Sequence, residues 1–361
     1  MNEINKLPMF YLGANSPQGF ISKFSDSFLA DRGWRSYIIK GGPGTGKSTL
    51  LKSVAKHFLS LGARIHLCPC SSDPSSLDGV ILCDLKTVLL DGTAPHVVEP
   101  QFPGVCEEIV NLGECWNSAP LQLHRDEIIT LTLENKECHA RASRYLAAAG
   151  KIIEDSYFTE KGCLNEVKAT AFAERIAKKH IKKATTKPVL FTRYLSGITP
   201  MGHTFYKKTL AKLSDTRIVI SDECGAASGV ILKVLQDTAI NCGHEVISCP
   251  CPLMPQKIEH IILPSARLSF CTSNRYHPVD SGERIIHARR FLDLPKYHAL
   301  RDRVNFNRQK IRDLLDLTTE ALADAKAVHD KLEAHYISAM DYAKLEKVKE
   351  ELVKKIESTV N

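Results

Sequence analysis

Eight consecutive residues carry the clearest chemistry in the chain: Gly41-Gly42-Pro43-Gly44-Thr45-Gly46-Lys47-Ser48 fits the spacing G-x-x-x-x-G-K-[ST]. Glycines in such a loop reach backbone conformations closed to other residues and let the main chain approach phosphates. The backbone N–H groups and the start of the following helix then hold negative oxygens. The expected nucleotide contacts are Gly42, Pro43, Gly44, Thr45, Gly46, Lys47, Ser48 and Thr49, with Lys47 on the β- and γ-phosphates and Ser48 as a Mg²⁺ ligand. A second, acidic metal ligand is expected where another apolar strand ends. Val80-Ile81-Leu82-Cys83 runs into Asp84, and Val88-Leu89-Leu90 runs into Asp91. Asp91 is preferred, because Gly92-Thr93 turns the chain at the carboxyl edge of the sheet, where ligands sit in open α/β folds. Lys47 and Asp91 are therefore the candidate catalytic pair, and Ser48 and Asp91 the candidate metal ligands. Asp73 and Asp78, in SSDPSSLDG, read first as turn and helix-cap residues, with a water-activating or metal-linked role as the lesser alternative.

The elements that must position these groups are legible on either side. Trp34–Lys40 reads as a short strand, and Ser48–Leu59 has apolar residues at helical spacing. Strand, glycine loop and helix are the context that the motif requires. An offset of 181 residues then relates the two halves of the chain. Gly44 falls over Gly225, Leu51 over Leu232, Cys68-Pro69-Cys70 over Cys249-Pro250-Cys251, and His96 over His277. Downstream, Cys138, Ala142, Tyr145, Ala149 and Ile152 step along a helix to Tyr157, with a break at Gly162 and a basic helix beyond. Leu314, Thr318, Ala321, Ala325, Val328 and Leu332 repeat that stepping to Tyr336, and Leu345, Val348, Leu352 and Ile356 mark a last helix. The expectation is an α/β protein of tandem duplicated cores (three-layer α/β/α, mostly parallel sheet), each followed by an αα-hairpin. The domains would be residues 1–186, with the intact loop, and 187–361, with a degenerate one.

The second loop, Ser221-Asp222-Glu223-Cys224-Gly225-Ala226-Ala227-Ser228-Gly229, has lost its chemistry. Ser228 stands where Lys47 should be, Gly229 for Ser48, and Thr272 for Asp91; Asp222 and Glu223 bring negative charge to a phosphate cradle. This half is expected to serve as a structural or regulatory partner. The Cys-Pro-Cys segments lack the C-x₂₋₄-C spacing and four ligands of zinc sites and read as strand ends with reduced thiols. His96 and His277 recur in both halves, including the one whose loop has decayed, so a structural hydrogen bond is expected of each.

At 361 residues, 43% hydrophobic and 25% charged, the chain has the composition of a globular protein large enough to need no disulfide or metal staple. Its net charge of +7 permits an acidic partner without requiring one. The amino terminus lacks a charged-then-apolar signal pattern, and no apolar run reaches a membrane span. These features point to a cytoplasmic protein with twelve reduced cysteines and no membrane partner.

PGTGKST is shared by the superfamily of P-loop NTPases. The further combination of tandem halves, S/T-P-x-G, C-[PS]-x-x-x-P, a strand end near DGTAPH and helical hairpins resembles a bacterial family, found mainly in Firmicutes, labelled ATPase or nucleotide-kinase-like. The resemblance covers nearly the whole chain and implies a Mg²⁺-dependent ATPase. In that family the second half often carries a working loop as well, which this sequence does not. ATP is placed before GTP by base rate, with no N-K-x-D guanine-reading segment present; GTP stays open. A nucleotide or small-molecule kinase is one alternative, with Arg141 and Arg144 as lid candidates against a solvated helix face. An ATP-bound scaffold for a protein or nucleic-acid partner, or for self-association, is another. The basic runs Lys178-Lys179, Lys182-Lys183 and Lys354-Lys355 lend nucleic acid little support, because no aromatic residues interleave them. Arg267 and Arg275 are candidates for an arginine finger supplied by the second half.

Overall fold

The computed structural model describes residues 4–185, 187–279 and 284–359. The first half contains β1 (Gly13–Ser16), β2 (Gly19–Ser22), β3 (Arg35–Lys40), α1 (Lys47–Ser60), β4 (Ile65–Pro69), β5 (Leu77–Leu82), β6 (Thr87–Asp91), β7 (Glu107–Asn111), α2 (Ser118–Leu123), α3 (Arg125–Lys161) and α4 (Glu166–His180). The second contains β8 (Val189–Thr192), β9 (Ser196–Thr199), β10 (Gly202–Phe205), α5 (Lys207–Leu213), β11 (Thr216–Ser221), α6 (Ala226–Asn241), β12 (Glu245–Cys251), β13 (Met254–Leu263), β14 (Leu268–Ser273), β15 (Arg284–His287), α7 (Leu294–Ala299), α8 (Arg301–Ala339) and α9 (Tyr342–Ser358). The fold class is α/β.

Two mixed sheets carry the fold. The first has the order β4-β5-β6-β3-β7; the second has β12-β13-β14-β11-β15, with β8 added beside β12. In both, the strand leading into the glycine loop (β3 or β11) lies between two parallel neighbours, and among the described strands only β5 or β13 runs against the rest. The inner strands are buried on both faces, so their sequences are continuous apolar runs such as Val88-Leu89-Leu90 and Ile218-Val219-Ile220.

The helices divide differently from the sequence. One compact unit comprises Met1–Gly13, Ser22–Ala142 and Glu320–Asn361, and the other Ala14–Ile21 and Ser143–Thr319. The units are therefore not the halves 1–186 and 187–361, and the boundary residue Thr186 lies outside the described residues. In the first unit, Leu352 and Ile356 of α9 join Leu50, Leu51, Val54 and Phe58 of α1 in one core. In the second, Ala169, Phe172, Ala173 and Ile176 of α4 pack with Ile231, Leu232 and Leu235 of α6. The last helix of each hairpin thus joins the core built on the other half's sheet, while α3 and α8 are divided between the two units. An apolar stripe on a helix must be buried, but its spacing does not say against which core.

Candidate functional site

In the first unit β3 ends at Lys40, and the chain turns through Gly41–Gly46 into α1, whose first residue is Lys47. Gly44 (φ +65°) and Gly46 (φ +81°) take left-handed conformations, which strain any residue with a Cβ. Thr45 Oγ1 donates to the Gly42 carbonyl at 2.8 Å. The Lys47 ammonium folds onto the loop, donating to the carbonyls of Gly41 (3.1 Å) and Gly42 (2.7 Å), and lies 3.7 Å from Asp91 Oδ2. Ser48 Oγ accepts the Leu77 N–H at 2.9 Å. Pro43 is half-buried and Thr49 exposed.

Because β6 runs parallel to β3 with Asp91 in register with Ile39, the Asp91 carboxylate arrives beside Lys47. Its Oδ1 accepts from the Thr93 N–H and hydroxyl, which fixes its direction. Asp84 lies at the other end of the strands, in the β5–β6 turn, bound to the backbone and side chain of Arg64. Asp73 is the turn residue expected of it, accepting from Ser75 and Ser76. Asp78 departs from its expected turn or cap role: it sits buried on β5, 3.8 Å from His96 Nε2, and Asp78, Asp91 and His96 bring ligand atoms within 4.8 Å of one another. Burial pushes the Asp78 carboxyl up to about 6; His96 and Lys47 oppose the shift, and the Asp91 charge adds to it. The acid–histidine pair recurs at the 181-residue offset as Glu259 and His277, a pattern in the sequence that the turn-or-cap reading of Asp78 did not use.

The far end of α8 and the start of α9 lie over the loop. A Cβ on Gly42 would come within 2.9 Å of Tyr336 Cε1, and one on Gly46 within 2.8 Å of Leu345 Cδ2. The Gly44 N–H donates to Glu333 Oε1 at 3.3 Å. A hydrogen bond with His329 is the main cause that holds the Glu333 carboxyl below its usual range, and so ionised. One of the loop's amides is thus already paired with a carboxylate.

In the second unit the corresponding amides are filled more completely. Gly225 (φ +88°) precedes α6. Asp222 accepts the N–H groups of Gly225 (3.0 Å) and Ser228 (2.7 Å), and Glu160 of α3 accepts that of Ala226 (3.1 Å). Burial, with Asp222 adding to it, pushes the Glu160 carboxyl up to about 9, so the pair holds a proton at neutral pH. Lys257 of β13 reaches the loop from the side; a Cβ on Gly225 would meet its Nζ at 2.5 Å. Protein carboxyl groups stand here where a nucleotide would place phosphate.

Arg275 pairs with Glu223, Arg267 with Asp215, and Arg141 with Asp324. These arginines are engaged within their own units. Lys178 and Lys179 are exposed. All twelve cysteines are free thiols. Among the described residues, no helix is long and apolar enough to cross a membrane. No family model matches the chain, and no curated protein or solved structure matches it either.

Proposed function

We propose that the chain is a Mg²⁺-dependent ATP-binding protein, and an ATPase, with one working site in the first half. The observation that carries this reading is the convergence of Lys47, Ser48 and Asp91 around a loop whose Gly44 and Gly46 adopt φ > 0. The repeated strand order supports reading the chain as tandem P-loop NTPase cores of the three-layer kind, the second decayed into a structural or regulatory partner. The loop amides and Lys47 would hold the phosphates, and Ser48 and Asp91 would hold Mg²⁺, which supplies charge neutralisation of the transferring phosphoryl group. With nucleotide bound, Lys47 would give up the Gly41 and Gly42 carbonyls for phosphate oxygens, and Ser48 would give up the Leu77 N–H to hold the ion. Asp78 is largely ionised at neutral pH and can accept a proton from an attacking water. A cytoplasmic setting accords with the free thiols.

The test is phosphate release from Mg-ATP by the wild type and Lys47→Ala, with and without a panel of metabolites. Release without an acceptor, abolished in Lys47→Ala, is the expected result. Consumption that depends on a metabolite would turn the reading to a kinase. ATP binding without turnover in either condition would leave nucleotide as a structural ligand.

A further inference from the structure

The second unit holds an unusual concentration of buried polar atoms without hydrogen-bond partners. Glu259 Oε2, both ring nitrogens of His260, Nδ1 of His277 and Nδ1 of His203 all lack one. Glu259, His260 and His277 are each at most 2% exposed, and they bring ligand atoms within 4.8 Å of one another. A buried polar group without a partner gives up its hydration and gains no hydrogen bond in return. Several in one place call for an occupant that satisfies them together.

The chemistry of the set narrows that occupant. Neutral imidazoles offer lone pairs, as metal ligation requires. Glu259 sets a carboxylate oxygen beside them. Its Oε1 faces His277 Nε2 at 2.9 Å and Lys257 Nζ at 3.5 Å, which leaves Oε2 for a further partner. Two imidazoles and one carboxylate suit Zn²⁺ and its neighbours rather than Mg²⁺, which takes an all-oxygen shell.

Comparison with the first unit makes the same point. Asp78 and His96 correspond to Glu259 and His277 at the 181-residue offset. The third member differs: Asp91 in the first unit corresponds to Thr272, whereas His260, which corresponds to Gly79, completes the second group. The second half has lost an oxygen ligand and gained a nitrogen ligand. Glu259 and His277 also line a cavity of ≈ 80 Å³, with His203, Cys251 and Arg308 among its other walls.

We propose that Glu259, His260 and His277 hold a divalent transition-metal ion of the zinc class. This site is independent of the nucleotide reading, because its ligands share no residue with the first loop.

The experiment strips the full-length chain with a chelator, dialyses it, and titrates it with Zn²⁺ and separately with Co²⁺, without nucleotide. Bound metal is measured by mass spectrometry, Co²⁺ coordination by its visible spectrum, and folding by circular dichroism and melting. The expected result is one tightly bound equivalent in the wild type, with a rise in melting temperature on metal addition. In His260→Phe and in Glu259→Gln the dissociation constant should rise by at least roughly 100-fold, since loss of an outer-shell partner alone costs about 10–100-fold. Phe at 260 keeps a ring against Phe205, whose ring stacks on His260 at 5.3 Å, and Gln at 259 keeps the shape, so one variant guards against misfolding of the other. His335→Ala and Asp91→Asn remove a member from the two other metal-capable groups, His124–Glu127–His335 and Asp78–Asp91–His96, and should retain the equivalent. Absence of tight Zn²⁺ uptake by the wild type, or equal uptake by folded His260→Phe and wild type, would overturn the assignment.

Discussion

The Gly44 amide and the Glu333 carboxylate are 289 residues apart and meet at 3.3 Å. Gly44 belongs to the loop proposed to hold phosphate, and Glu333 supplies an anion from α8. The carboxylate therefore competes for an atom that a phosphate would use. Replacing Glu333 by Ala should tighten Mg-ATP binding by roughly tenfold, the value of one charge-assisted hydrogen bond. Calorimetric titration of both proteins would measure it. Weaker binding by the variant would mean that α8 supports the nucleotide and does not compete with it.

The two candidate acids of the first half separate cleanly. Asp91 lies 3.7 Å from Lys47, whereas Asp84 is engaged by Arg64 in a turn at the far end of the strands. Asp91→Asn should lower Mg²⁺-dependent phosphate release by about 100-fold or more, the scale of lost electrostatic stabilisation at a transition state. Asp84→Ala should leave release within about twofold and lower the melting temperature slightly, because an exposed ion pair contributes little. Steady-state rates of the two variants side by side decide the matter; equal losses would remove Asp91 from the site.

Gly225 tests the second loop separately. Its φ of +88° penalises a side chain, and a Cβ there would lie 2.5 Å from Lys257 Nζ and 2.8 Å from its Cδ. Lys257 cannot yield freely, since it is buried beside Glu259. Gly225→Ala should destabilise the chain by about 1–3 kcal/mol. Denaturant unfolding would report the loss, while Mg-ATP affinity, set by the first loop, should stay unchanged.

The glycine loop was legible in the sequence because its parts are contiguous and the conformations at Gly44 and Gly46 demand glycine. Asp91 was legible because strand, acid and glycine turn follow one another. Asp78 was read as a turn or cap residue because Ser-Ser-Asp-Pro precedes it, although β5 begins at Leu77. The placement of α4 and α9 in the core of the other half was not legible at all. Phe172 and Ile176 announce an apolar face on α4, but only the folded chain shows α6 covering it. Glu160 and Glu333 were missed for the same reason: each meets its loop through contacts 66 and 289 residues away in the chain, where no local pattern marks them.

Glu160 gives the second loop a pH dependence whose sign follows from its position. Its carboxyl is raised from 4.5 to about 9 by burial and by Asp222. Between those values the folded chain keeps a proton that the unfolded chain releases, so stability falls as pH rises from about 4.5 to about 9 and levels off above. Glu160→Gln fixes the protonated shape: the amide oxygen can accept the Ala226 N–H while the amide nitrogen donates to Asp222. The variant should match the wild type near pH 4.5 and melt at progressively higher temperature than it as pH approaches 9. Melting curves of both proteins across that range provide the measurement. A difference independent of pH would mean that Glu160 is ionised in the fold and that another cation, Lys257 being nearest to hand, balances the pair.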